Sequence, residues 1–160
     1  MKTNIENDSW ILDRWLRPAG DVLSFECVLD HLRKGKYKNI HIGTDSQEKG
    51  LNTVFVTSVC FYTTSGVNYF YAKTIVSRSM FKTVYLRLKE EIQRSISLGD
   101  KLREELKTNI TVHADVNSLP RGYSNRFNKE FSSYVNAMGF EYRCKPNSWA
   151  ANTVANWHTK

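Results

Sequence analysis

Cysteine is scarce in this chain and odd in number: Cys27, Cys60 and Cys144 stand far apart, with no CxxC spacing. That excludes a disulfide-stapled fold, a thiolate zinc site and a dithiol redox motif, and it predicts reduced thiols. Cys60, inside an apolar run, reads as a small core residue. With only 3 Pro and 8 Gly, the chain is neither collagen-like nor of low complexity. No stretch approaches the roughly 18 consecutive apolar residues of a membrane-spanning helix, and the polar opening MKTNIENDSW has no apolar h-region. The expectation is a soluble, cytoplasmic protein with no membrane partner. Also missing are a Gly-rich phosphate loop, a GxSxG elbow and an HExxH helix, which removes the commonest nucleotide-binding and hydrolase classes. Acidic residues are in deficit, 16 against 23 basic ones, giving a formal charge of +7. A polyanion, RNA, DNA or their hybrid, is the default partner.

What remains is a globular composition, 41% hydrophobic and 24% charged over 160 residues. A chain of this length buries about 70% of its unfolded surface, and without a repeat, linker or composition break it reads as one domain over 1–160. Asp8 or Ser9 could cap a short helix with Trp10, Ile11, Trp15 and Leu16 on one face, ended by Pro18 and Gly20. From Ser24 as a cap, Phe25, Val28, Leu29 and Leu32 recur at helical spacing. Arg33, Lys34, Lys36 and Lys38 follow, a cluster that suits either phosphate contact or a solvated helix terminus.

Three strands are predicted over Asn39–Ser46, Thr53–Thr63 and Val67–Val76. The second is apolar on both faces, which predicts a central position and a hairpin to the third. Val84 to Leu106 reads as a long helix, Ile110 to Val116 as a strand, and Phe127, Phe131, Tyr134, Val135 and Met138 as the buried stripe of a helix closed by Gly139. Phe140 to Cys144 is a last strand, and Ser148 could cap a helix from Trp149 to His158. The predicted order is βββαβαβα after two leading helices, an α/β fold on a five-stranded mixed sheet.

Asp45 in HIGTDS and Asp115 in ITVHADVN each close an apolar strand, where α/β proteins place their sites. On neighbouring strands such carboxylates would lie about 5 Å apart and repel unless a cation held them. Glu91 lies on the inward stripe of the long helix, whereas Glu90 faces solvent; a buried glutamate is costly unless paired with an arginine or bound to metal. Oxygen ligands of this kind suit Mg²⁺ or Mn²⁺ better than zinc. His41 and His113 raise a zinc alternative, but histidines inside strands are more often core residues satisfied by hydrogen bonds. A second basic cluster, Arg121, Arg126 and Lys129, and Lys145 near the end of the chain complete the candidate nucleic-acid contacts. Tyr123 and Phe127 beside that cluster could stack bases or, for Phe127, pack in the core.

HIGTDSQ, RLKEEIQRSISL, VHADVN and GFEYRCKPNSWAANTVANWHTK together resemble the YkuK-type branch of the ribonuclease H-like superfamily, small bacterial and phage proteins, from about Pro18 to Lys160. The resemblance implies a ribonuclease H-like fold and a metal-dependent nuclease. It puts Asp45 on the metal-bridging position, Glu91 on the helix carboxylate and Asp115 on the second strand carboxylate. The fourth position departs from the pattern: Val154-Ala155-Asn156-Trp157-His158 carries an amide where the branch has an aspartate. Asn156 can still offer an oxygen to Mg²⁺, and His158 could transfer protons or ligate. The opposing reading is a module that binds nucleic acid or a protein partner without cutting.

Overall fold

The computed structural model describes residues 8–117 and 125–160, so Arg121 and Tyr123 lie outside the described residues. One seven-stranded mixed sheet organises the chain. Its strands are β1 (Arg14–Leu16), β2 (Val22–Ser24), β3 (Asn39–Lys49), β4 (Asn52–Thr63), β5 (Gly66–Ser77), β6 (Asn109–Asn117) and β7 (Glu141–Lys145), in spatial order β2-β1-β5-β4-β3-β6-β7. β4 is central, flanked by β3 and β5, as its two apolar faces require. Gly50 and Gly66, both at positive φ, turn the two hairpins. The α/β ribonuclease H-like fold is present, with two strands more than expected.

The extra strands replace the first predicted helix. Ser9–Leu12 is only a 3₁₀ turn without a side-chain cap from Asp8, and the chain then forms the β1–β2 hairpin, which meets β5 through Leu16 and Tyr71. The reason lies in Pro18 and Gly20: the Arg17–Asp21 segment closes on itself with two backbone hydrogen bonds, so the chain reverses before a second helical turn can form. Trp15 is fully buried either way, its indole N–H donating to the Ile11 carbonyl at 2.8 Å.

Three helices cover one face: α1 (Phe25–Gly35), α2 (Val84–Glu105) and α3 (Asn125–Ala137). Ser24 caps α1 by accepting from the Cys27 N–H, and Thr83 caps α2 by accepting from Leu86. Beneath them Ile40, Ile42, Val59, Phe61, Ile96, Leu98, Val112 and Val135 form the main core. The other face carries the C-terminal segment, a π-helix over Ala150–Ala155 that runs into α4 (Asn156–Thr159). Ser148 begins that segment through its carbonyl, which accepts from Ala151 and Asn152; its hydroxyl makes no cap. Gly43 lets it dock, because a Cβ there would lie 2.3 Å from the Ala151 nitrogen and 2.4 Å from the Ala150 carbonyl carbon. Among the described residues, no helix is long and apolar enough to cross a membrane.

Candidate functional site

Pairing between β3 and β6 is parallel and ends at Gly43–His113, whereas β3 stays paired with β4 as far as Lys49–Asn52. Asp45 therefore does not close its strand; what ends beside it is the neighbouring ladder. Two residues past that last parallel pair on each strand stand Asp45 and Asp115, close enough for the charge of Asp115 to act on Asp45. Pleating then sorts the next positions. Asp45 faces the C-terminal segment and Ser46 faces α2.

Glu91 reaches the same opening from α2. It is 5% exposed, and its Oε1 accepts from the Ser46 hydroxyl at 2.5 Å. One helical turn later Ser95 joins Thr44 and Thr57 in a buried chain of hydroxyls, 2.8 and 2.9 Å apart, which fixes the helix against the sheet below the glutamate. Glu90 takes the arginine instead, pairing with Arg94 at 3.0 Å. On the opposite side, Asn156 donates its amide hydrogen to Asp45 Oδ2 at 2.8 Å. Lys145, on β7, sets its ammonium 2.8 Å from Asp115 Oδ1, an ion pair off the axis of a hydrogen bond.

Crowding of acids in a dry place has the expected electrostatic result. Burial, and then the charge on Asp45, push Glu91 well above the usual carboxylate range. Burial raises Asp45 to about 6; the Asn156 amide pulls against that rise and the Asp115 charge adds to it. Asp45 and Glu91 thus bind a proton more tightly than ordinary carboxylates do. Its donors are carboxylate and amide oxygens, the chemistry that fits Mg²⁺ or Mn²⁺. Among the described residues, however, no three His, Cys, Asp or Glu side chains are already arranged to hold an ion, and Ser46, Asn156 and Lys145 each engage a carboxylate oxygen.

His158 stands apart from this group. Its Nε2 lies 2.8 Å from the Tyr69 hydroxyl, its ring stacks on Tyr71 at 3.8 Å, and the charge that acts on it is Lys73. His41 and His113 bond each other at 3.0 Å, while His113 Nδ1 accepts from the Ala150 N–H, so these rings anchor the C-terminal segment. With Nδ1 accepting, the His113 proton sits on Nε2 and is donated to His41. Burial lowers them to about 3 for His113 and about 4 for His41, so both are neutral core groups.

The two basic clusters part company. Arg33, paired with Glu105, and Lys34, paired with Asp30, end α1, and Lys36 and Lys38 lead into β3, whose first residue, Asn39, is six residues, about 20 Å, from Asp45. Arg126, stacked over Phe127, and Lys129 open α3 at the carboxylate end of the sheet. Phe127 itself packs beside Tyr85 against the core. Ser46 was not among the residues the sequence singled out, although strand alternation after Asp45 points it at α2.

No curated protein matches the chain. The family described as Ribonuclease H-like matches residues 24–160, from the cap of α1 through every element that builds the carboxylate opening. The matched span covers most of the chain and contains the elements that carry Asp45, Glu91 and Asp115, and the chain belongs to the ribonuclease H-like family of YkuK type.

Proposed function

We propose that the chain is a nucleic-acid phosphodiesterase that uses Mg²⁺ or Mn²⁺ held by Asp45, Glu91 and Asp115, with Asn156 as a weaker oxygen donor. The observation that carries this reading is the gathering of buried carboxylates with raised proton affinity where β3 and β6 part. Evolution of a fold purely for stability has no use for like charges in a dry opening. The chemistry that divalent ions supply at such a site is activation of water and stabilisation of the leaving oxygen of a phosphodiester. Ser46 orients Glu91, Asn156 orients Asp45, and Lys145 balances Asp115. His158 is left out of the chemistry, because Tyr69 and Tyr71 hold its ring.

A second reading is favoured by Lys145 and Asn156 themselves. Protein groups already engage an oxygen of each of the three carboxylates, the arrangement of a fold that binds nucleic acid without cutting it. Labelled RNA, DNA and hybrid substrates with Mn²⁺ decide between them. The phosphodiesterase requires cleavage that disappears in Asp115→Asn while the variant stays folded; binding with no cleavage at any Mn²⁺ concentration leaves the binding module.

A further inference from the structure

Beside the carboxylates, on the β7 side, lies a cleft of about 600 Å³ lined by Tyr142, Arg143, Cys144, Lys145, Asn147 and Trp149, together with the intervening proline. Its volume falls within the roughly 300–1,000 Å³ of small-ligand sites. Among the described residues no carboxylate lines it, and two cations, Arg143 and Lys145, do. Lys145 belongs to both places, since it forms part of the cleft wall and touches Asp115 at 2.8 Å.

Trp149 gives the cleft its second recognition element. The indole is half-buried and held in position by His41, His113 and Tyr62, with ring centroids 4.9, 4.9 and 5.9 Å away. Those rings tilt at 47°, 79° and 70° to it, so none of them stacks parallel on its face. A fixed aromatic face beside cations is the platform on which unpaired bases stack while their phosphates meet the charges. Bases inside a duplex stack on each other and do not offer a free face to a recessed ring.

We propose that this cleft binds a single-stranded segment of nucleic acid, with a base on Trp149, phosphates on Arg143 and Lys145, and the Lys145 phosphate thereby placed next to Asp115. The assignment rests on the reading of the chain as a nucleic-acid protein and adds the substrate class to it. A strand seated there shares Lys145 with Asp115, so the cleft delivers the backbone to the carboxylates.

The test uses the full chain carrying Trp157→Phe, which removes the tryptophan that is 68% exposed; of the three that remain, Trp10 and Trp15 are buried in the core, so a change on binding reports Trp149. In EDTA, a short oligothymidylate and the matching oligouridylate are titrated against tryptophan fluorescence, alongside a duplex of the same length. Single strands of either sugar quench the emission and Trp149→Phe abolishes the quenching; the anisotropy of the same strands carrying an end label shows Trp149→Phe or Lys145→Met weakening binding about fivefold or more. Lys145→Met also lowers the log–log salt slope by about 0.7. Thermal melts of each variant exclude misfolding as the cause. The assignment is overturned if the duplex quenches as the single strands do, if neither variant changes affinity, or if no oligonucleotide binds. Cleavage that persists with an unaltered Trp149 signal removes the cleft and leaves the proposed reaction standing; oligonucleotide binding without cleavage removes the reaction and leaves the cleft.

Discussion

Asp45→Asn should stabilise the metal-free protein while removing a residue proposed to hold the ion. The carboxyl is 5% exposed and its pKa is raised from 3.8 to about 6, with burial as the largest cause. A carboxyl whose folded pKa is raised binds its proton more tightly in the folded chain than in the unfolded one. The stability this contributes is full below a pH near 4 and is lost as pH rises through about 6. At about 1.36 kcal/mol for each tenfold change, the loss approaches 3 kcal/mol at neutral pH. Asparagine has nearly the same shape, still offers an oxygen to the Asn156 amide and never ionises, so it escapes that loss. Urea unfolding in EDTA at pH 4.5 and at pH 7.5 measures it: the variant gains about 1–3 kcal/mol over the wild type at the higher pH and less at the lower one. With Mn²⁺ the order reverses, because only the wild type keeps the full ligand set. A variant less stable than the wild type at pH 7.5 without metal would refute the claim that Asp45 sits in a charge-crowded opening.

Asn156→Asp puts a further carboxylate against Asp45, so it lowers metal-free stability and raises Mn²⁺ affinity; calorimetric titration that finds no gain in affinity leaves Asn156 a purely structural partner of Asp45. Gly43→Ala forces a Cβ onto the Ala150–Ala151 backbone and costs about 2–3 kcal/mol by urea unfolding, with the stabilising response to Mn²⁺ reduced because Asn156 no longer seats. Arg126→Ala or Lys129→Ala lowers the salt slope for a short single strand by about 0.7 each, whereas Lys34→Ala and Lys36→Ala, at the far end of β3, leave it unchanged.

Much of the site was legible in the sequence because it lies on regular elements. The helical period that buries Leu88, Ile92 and Ser95 also turns Glu91 inward, and α2 keeps that period over 22 residues; Glu90, expected in solvent, is instead half-buried against the buried Arg94. The two apolar faces of β4 gave its central place. The β1–β2 hairpin was not legible, since Trp10, Ile11, Trp15 and Leu16 fit a helical face as well as a turn followed by three paired residues. Nor was the π-helix, which docks over Gly43 and whose wide turns no residue spacing announces. For Lys145 the sequence suggests only a phosphate contact. Its approach to Asp115 depends on an irregular register between His113 and Asn117 that no residue pattern announces.

That register gives Lys145 an energetic role that a substitution can expose. Its ammonium sits at ion-pair distance from Asp115, with the two side chains 35% and 21% exposed, so solvent screens the attraction only in part. Any cation that uses Asp115 must compete with this internal one. Lys145→Met keeps most of the stem and removes the charge, so Mn²⁺ should bind more tightly by about 1 kcal/mol, or about fivefold, and the metal-free protein should lose a similar amount of stability. Both effects must vanish when Asp115→Asn is already present, because the mutant cycle isolates the pair. Titration calorimetry on the wild type, both single variants and the double variant reads the coupling directly. Equal Mn²⁺ affinities in the wild type and Lys145→Met would mean that the carboxylate taken by Lys145 is not one that the ion uses, and the proposed ligand set would lose Asp115.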